Sequence, residues 1–147
     1  MAVVTTTRAL GVDLGSKRIG LALSDPTRTV ASPFSVLRRG KDQATDHAAI
    51  LSVARAEGVN TIVVGLPLTL RGRDGPAAKA TRAEVEALRA VAEPADLTVV
   101  LHDERLTTVS AERSLNEARM KREDRKQVVD KVAAAIMLQS WLDGAAQ

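Results

Sequence analysis

The sequence contains no cysteine and almost no aromatic residues. Of its 147 residues none is Cys or Tyr, and Phe34 and Trp141 are the two aromatic side chains. The lack of thiols excludes disulfides, cysteine–zinc sites and thiol catalysis. The shortage of rings argues against proteins that read nucleic acids by stacking bases on aromatic side chains. Recognition of a nucleic-acid backbone stays open, because it needs cations rather than rings.

Long apolar segments are also missing. No run of about 18 apolar residues occurs, and the first residues lack the charged-then-apolar pattern of a signal peptide. We therefore expect a cytoplasmic protein without a membrane partner. The length, with 45% hydrophobic and 27% charged residues, predicts a single domain over residues 1–147. The net charge of +3 is compatible with a polyanionic partner but does not identify one.

The hydrophobic pattern predicts three strands followed by alternating helices and strands. Two apolar runs, Arg8–Leu14 and Arg18–Ser24, flank a short Gly-Ser-Lys connection, as in a β-hairpin. The other predicted elements are strands at Ser32–Leu37, Asn60–Gly65 and Leu97–Leu101, and helices from Asp42 to about Glu57, at Ala77–Val91, at Val109–Asn116 and at Gln127–Leu142. This order, βββαβαβαα, predicts an α/β fold with a mixed sheet and helices on its faces.

A carboxylate interrupts the first predicted strand. Side chains alternate along a strand, so Asp13 shares its face with Gly11 and Gly15. A buried carboxylate is costly unless it is paired or bound to a cation. Glycine neighbours would leave room for a metal or a phosphate to approach. The simpler alternative is that Asp13 ends the strand and caps the turn.

Two further positions offer carboxylates. Asp103 and Glu104 follow the last predicted strand, so one of them can point toward Asp13. Asp130 lies on an apolar final helix and shares a face with Ala134. The alternatives are a solvated strand end and, for Asp130, a helix start at which the helix dipole favours an anion.

Three converging carboxylates would suit Mg²⁺ or Mn²⁺, since these hard cations take oxygen ligands. Two such ions, about 3.5–4 Å apart, activate a water and stabilise the leaving oxygen in phosphodiester hydrolysis. This scheme needs neither cysteine nor histidine. We therefore expect His47 and His102 to be surface or strand-packing residues rather than ligands.

The segments that carry these residues resemble the RuvX/YqgF family of RNase H-like proteins. The resemblance rests on GVDLGSKRIGLALSD, VVGLPLTLRGRDG, DERLTTVSAE and VDKVAAAIMLQSWL, and it extends from about Leu10 to Leu142. It implies an RNase H-like, five-stranded mixed sheet with helices on both faces. It also implies a divalent-metal nuclease site formed by Asp13, Glu104 and Asp130. The family is associated with maturation of the 5′ end of pre-16S ribosomal RNA and is similar to Holliday-junction resolvases.

Several basic residues become candidates for binding substrate phosphates beside such a site. They are Lys17 and Arg18 on the hairpin turn, Arg71 and Arg73 in the glycine-rich loop, and Arg105 after the proposed ligand. Arg105 has a second interpretation, as an ion-pair partner of Asp103. The basic stretch 117–126 either grips nucleic acid or is a solvated segment of mixed charge.

The resemblance favours processing of pre-16S ribosomal RNA over cleavage of branched DNA. A resolvase that makes paired cuts is expected to act as a two-fold dimer, but the sequence leaves monomer and homodimer open. Two rival interpretations also stay open. The DLGSKRIG turn resembles the phosphate-binding hairpin of the actin and sugar-kinase ATPases, and the chain can also be a non-catalytic nucleic-acid-binding module.

Overall fold

Five strands form one mixed sheet in the computed structural model, which describes residues 7–69, 71–103 and 122–145, with the backbone alone for 122–129. The strands are β1 (Arg8–Leu14), β2 (Arg18–Ser24), β3 (Ala31–Arg38), β4 (Val59–Leu66) and β5 (Thr98–Asp103). Their order across the sheet is β3-β2-β1-β4-β5. The β1–β2 and β2–β3 pairs are antiparallel, whereas β1–β4 and β4–β5 are parallel. The predicted mixed sheet is confirmed.

Three α-helices accompany the sheet within the described residues. They are α1 (Gln43–Ala56), α2 (Pro76–Ala92) and α3 (Arg122–Ala145). Local sequence signals set the ends of α1, because the Asp42 side chain accepts a hydrogen bond from the Thr45 amide and Gly58 follows the helix with φ at +68°. Pro76 occupies the start of α2, where its missing N–H costs nothing.

The predicted bounds hold closely except at the final helix. The first two strands match at both ends, and the other strands differ by one or two residues. The final helix begins at Arg122 rather than at Gln127, so the predicted start is wrong. Arg, Glu and Lys are good helix formers, and the polar segment 122–126 therefore continues the helix. The predicted helix at Val109–Asn116 lies outside the described residues.

The two faces of the sheet bury different helices, as predicted. The face covered by α1 and α2 carries large side chains, among them Leu10, Val12, Ile19, Leu21, Ile62 and Val64. The face covered by α3 carries smaller ones, which are Ala9, Ala22 and Val63 against Ala134, Met137 and Leu138 of the helix. Small residues let α3 approach the sheet closely: a Cβ added at Gly11 would lie 2.9 Å from the Leu138 Cβ. In the described parts of the chain, no helix has the length and apolar character needed to span a bilayer.

Candidate metal and nucleic-acid site

One edge of the sheet gathers most of the predicted functional residues. The parallel strands β1, β4 and β5 end there, at Leu14, Leu66 and Asp103, and we call it the carboxyl edge. The antiparallel strand β2 begins there at Arg18, and β3 ends there at Arg38. Ligands of open α/β sheets commonly bind beyond the carboxyl ends of parallel strands.

Asp13 and Asp130 come together at this edge because of a glycine. Asp13 pairs with Gly20 in the β1–β2 register. A Cβ added at Gly20 would lie only 2.1 Å from the Asp130 carbonyl oxygen, so the backbone of α3 crosses β2 where no other residue would fit. This close crossing brings two acidic side chains from distant parts of the sequence into one another's electrostatic field.

The surroundings of Asp13 destabilise the ionised form of its carboxyl group. Its burial, and then the negative charge of Asp130, raise its pKa from 3.8 to about 6. The Asp130 carboxylate accepts a hydrogen bond from Arg18, with 2.6 Å between Nε and Oδ2. Among the described residues, no cation pairs with Asp13 in this way. Arg18 therefore compensates the charge of Asp130, whereas the charge of Asp13 has no such partner among the described residues.

The simpler explanations for these two carboxylates fail. The hairpin turn closes through the main chain, since the Gly15 amide lies 3.1 Å from the Asp13 carbonyl oxygen and 2.9 Å from that of Arg18. The turn therefore needs no cap from the Asp13 side chain. Asp130 is the ninth residue of α3 and lies in its third turn, beyond the reach of the N-terminal dipole.

The structure shows why Gly11 and Gly15 flank Asp13. The prediction that such glycines leave room for a metal or a phosphate is wrong for Gly11. The space over Gly11 is filled by α3, with the Ala134 carbonyl oxygen 3.0 Å from an added Cβ. Glycine at Gly15 is required by the turn itself, since an added Cβ would lie 2.5 Å from the Arg18 carbonyl oxygen.

The two histidines differ in where they lie in the fold. His102 lies on β5, as expected of a strand-packing histidine, and its Nε2 is 2.9 Å from the Ser140 Oγ of α3. Burial lowers the pKa of His102 against the opposing effect of Asp103. The predicted location of His47, at the surface or packed on a strand, is wrong. His47 is buried on α1, and its Nε2 lies 2.9 Å from the Glu84 Oε2. Its residue type gives no signal for this, because the partner is 37 positions away.

Three of the predicted phosphate-binding residues are displayed at the carboxyl edge, while Arg18 is engaged by Asp130. Lys17, Arg71 and Arg73 are exposed, and none of their side chains has an ion-pair partner among the described residues. The loop that carries the two arginines is closed by its own hydrogen bonds. The Thr69 amide donates to the Arg73 carbonyl at 2.9 Å, and the Gly72 amide donates to the Thr69 carbonyl at 2.8 Å.

Two of the three predicted metal ligands, Asp13 and Asp130, lie among the described residues, so their donor atoms can be compared with the preferences of a divalent cation. Asp13 and Asp130 supply hard oxygen donors, and a bound divalent cation would relieve the repulsion between them. The donor set therefore fits Mg²⁺ or Mn²⁺. Glu104 and Arg105 lie outside the described residues, and within those residues no group of three acidic, histidine or cysteine side chains is arranged to hold a metal.

Comparison with known proteins identifies the family. A family model described as "RuvX: Holliday junction resolvase" matches residues 7–144. The chain belongs to the RuvX family. Curated relatives carry the name "Putative pre-16S rRNA nuclease". The one from Moorella thermoacetica is 46% identical and the one from Roseiflexus sp. is 43% identical, and each alignment covers 92% of this chain and 94% of the relative.

Solved structures agree on the fold. Thermus thermophilus RuvC, in complex with a Holliday junction substrate, aligns with a TM-score of 0.59 and 16% identity, over 95% of this chain and 96% of that one. The yeast mitochondrial Holliday junction resolvase Ydc2 aligns with a TM-score of 0.55 and 11% identity, over 99% of this chain and 81% of that one. The predicted RNase H-like fold is confirmed. The predicted nuclease class agrees with the names of the RuvX family and of its curated members.

Proposed function

We propose that this chain is a divalent-metal-dependent endonuclease that hydrolyses nucleic-acid phosphodiesters at the carboxyl edge of its sheet. The observation that carries the proposal is the pair Asp13 and Asp130. Burial, and then the charge of Asp130, raise the pKa of Asp13, and among the described residues a cation pairs with Asp130 but none pairs with Asp13. Carboxylates with perturbed pKa values at a strand end are typical of functional sites.

We assign Asp13, Asp130 and Glu104 as catalytic metal ligands. Glu104 enters the proposal because it directly follows Asp103, which pairs with Leu66 at the carboxyl edge. Mg²⁺ or Mn²⁺, as one or two ions, would supply a more acidic water and charge stabilisation of the leaving oxygen when bound.

The chain's own residues orient the site and hold the substrate. Arg18 fixes one rotamer of Asp130 through its 2.6 Å ion pair, as an outer-shell partner orients a metal ligand. Lys17, Arg71 and Arg73 stand where substrate phosphates would pass, and Arg105 is proposed with them from its position after Glu104. Such cations neutralise phosphates and position the scissile bond.

For the substrate, we propose 5′-end processing of pre-16S ribosomal RNA, in the cytoplasm where ribosomes mature. The names of the curated relatives favour this choice. The second candidate is cleavage of four-way DNA junctions, which the family description and the RuvC complex favour. Both reactions hydrolyse phosphodiesters, so the metal site cannot separate them, and a direct comparison of substrates is needed.

The test is a cleavage assay on a pre-16S leader RNA and a four-way DNA junction, side by side, with Mg²⁺ or Mn²⁺. We compare the wild type with Asp13→Asn and Asp130→Asn, which keep the shape and remove the charge. Loss of an outer-shell partner costs about 10–100-fold, and loss of a ligand is expected to cost more. Asp25→Asn is the matched control, because this aspartate lies in the turn between β2 and β3, at the opposite edge of the sheet.

Metal-dependent cleavage that survives in the control and disappears in both site variants would support the nuclease. The preferred substrate would then choose between ribosomal RNA processing and junction resolution. If the wild type binds either nucleic acid but cuts neither, and Asp13→Asn binds equally well, the chain is a non-catalytic binding module and the proposal is wrong.

A further inference from the structure

Two consecutive arginines at the end of β3 have opposite surroundings. Arg39 is held by the fold: its Nε donates to the Gly15 carbonyl at 2.9 Å, and its main-chain amide donates to the Lys17 carbonyl at 3.0 Å. Its Nη1 and Nη2 also bind both oxygens of the Glu84 carboxylate, at 2.6 and 2.8 Å. Arg38, its neighbour, is exposed and has no ion-pair partner among the described residues.

The partners of Arg39 form a cluster buried between α1 and α2. We call Arg39, Asp46, His47 and Glu84 the Arg39 cluster, and its three helical members are each at most 6% exposed. Asp46 accepts from Arg39 Nη1 at 3.2 Å and from the Gly40 amide at 2.6 Å. This cluster fixes the end of β3 to the β1–β2 turn. The backbone from which Arg38 projects is therefore held rigidly.

The register gives Arg38 an unfavourable neighbour. Arg38 pairs directly with Arg18 in the antiparallel β2–β3 ladder, so both side chains lie on the face that α3 covers. Like charges at directly opposed positions destabilise a sheet. Asp130 compensates the charge of Arg18, but no described residue compensates that of Arg38. Within the part of the chain that the structure describes, no contact offsets the repulsion between Arg18 and Arg38 at the carboxyl edge.

We propose that Arg38 binds a phosphate of the nucleic-acid substrate, extending the contact surface from Asp13 across β2 to the edge strand. This inference rests on the proposed nuclease function. Arg38 and Lys17 lie on one side of Asp13, and the loop with Arg71 and Arg73 follows β4 on the other. These cations mark a path for a polyanionic backbone along the carboxyl edge. A guanidinium matches phosphate oxygens in a bidentate geometry.

The test is Arg38→Gln in a binding assay with labelled leader RNA and labelled four-way junction, in EDTA so that no cleavage occurs. Removing one phosphate contact should weaken binding of both probes and reduce the slope of log affinity against log salt by about 0.7–0.9. Arg55→Gln is the matched control. Arg55 is also exposed, but it lies near the end of α1 at the opposite edge of the sheet.

The melting temperature separates a binding role from a structural one. Relief of the like-charge pair predicts that Arg38→Gln melts at the same temperature as the wild type or slightly higher. Weaker binding with a smaller salt slope and no loss of thermal stability would support the proposal. Weaker binding together with a lower melting temperature would assign Arg38 a structural role and overturn it.

The nuclease proposal can survive failure of this inference. If Arg38→Gln and Arg55→Gln both bind like the wild type, while Asp13→Asn abolishes cleavage, Arg38 is not a substrate contact but the catalytic site stands. If the wild type neither binds nor cuts either probe, the proposed function itself fails, and the assignment of Arg38 fails with it.

Discussion

Two pairs of carboxylates lie near the carboxyl edge, on opposite faces of the sheet, and they differ in how well they are balanced. In the Arg39 cluster, a single guanidinium donates to both Asp46 and Glu84. On the α3 face, Arg18 reaches Asp130. Among the described residues each pair has one arginine, so the difference lies in whether that arginine contacts both carboxylates or one of them.

The pKa values record this difference. Burial opposes ionisation of Glu84, but hydrogen bonds from Arg39 and His47 outweigh it and lower the pKa of the carboxyl. Burial also opposes ionisation of Asp13, and the charge of Asp130 adds to it, so the pKa rises to about 6. A complete set of partners is typical of a structural cluster. A buried carboxylate with a raised pKa and no cationic partner among the described residues is typical of functional sites, which is why we propose Asp13 as a metal ligand.

The largest effect is expected from a variant that removes one carboxylate of the Arg39 cluster. Glu84→Gln removes the bidentate partner of Arg39 and leaves a poorly compensated guanidinium that is 18% exposed. Breaking a buried ion pair costs about 3–5 kcal/mol, and we expect about 3 kcal/mol here because Asp46 remains. Urea denaturation monitored by circular dichroism measures the loss of unfolding free energy.

The control for this variant lies on the same helix. Glu86→Gln removes an exposed carboxylate that pairs with Arg89, and a surface pair of this kind contributes about 0–1 kcal/mol. Equal losses in the two variants would show that burial of the Arg39 cluster does not matter. The contrast between the two faces of the sheet would then lose its energetic basis.

An effect of opposite sign, and at most of equal size, is expected from Asp13. The pKa of Asp13 rises from 3.8 to about 6 on folding, so the folded state binds this proton more tightly than the unfolded state. The folded state is therefore penalised as the pH rises from about 4 to about 6, and the penalty stays constant above that range. The shift corresponds to roughly 3 kcal/mol at most.

Asp13→Asn should accordingly unfold at a higher urea concentration than the wild type at pH 7 in EDTA, and at the same concentration near pH 4. Added Mn²⁺ should stabilise the wild type more than the variant, since a cation that binds the folded state raises its stability. A variant that is less stable than the wild type at pH 7 would make Asp13 a structural residue. It would also remove the main support for the metal site.

The strands and most of the helices follow from local sequence alone. The alternating runs around Gly15 set the bounds of β1 and β2, and Asp42 and Gly58 set those of α1. These signals act between residues a few positions apart. A sequence pattern can therefore carry them without knowledge of the tertiary structure.

The site is only partly predictable for the same reason. Asp13 could be singled out because a carboxylate within an apolar strand is locally anomalous. The role of Gly20 depends on the path of α3, which lies 110 positions further along the chain at Asp130. The Arg39 cluster joins a strand end to two helices, and no periodic pattern links Arg39 to Glu84. Interactions of this kind become visible once the elements are packed.

The smallest effect is expected at another carboxylate, Asp25, which lies in the turn between β2 and β3 at the opposite edge of the sheet from Asp13. Its side chain accepts hydrogen bonds from the Thr27 hydroxyl and from the amides of Thr29 and Val30, the last two at 2.8 Å. The Thr27 hydrogen bond and these amide contacts lower the pKa of the exposed carboxyl to about 2. Asp25 is thus balanced by its own turn.

Because the folded-state pKa of Asp25 is depressed, its ionised form stabilises the fold above pH 4, and this contribution is lost as the pH falls from about 4 to about 2. Asp25→Asn should lower the melting temperature slightly at pH 7, and the difference from the wild type should disappear toward pH 2. Asp13→Asn has the opposite sign at pH 7. If both variants shift the melting temperature in the same direction, the local surroundings of Asp13 and Asp25 do not determine which of these carboxylates stabilises the fold and which is available to a metal.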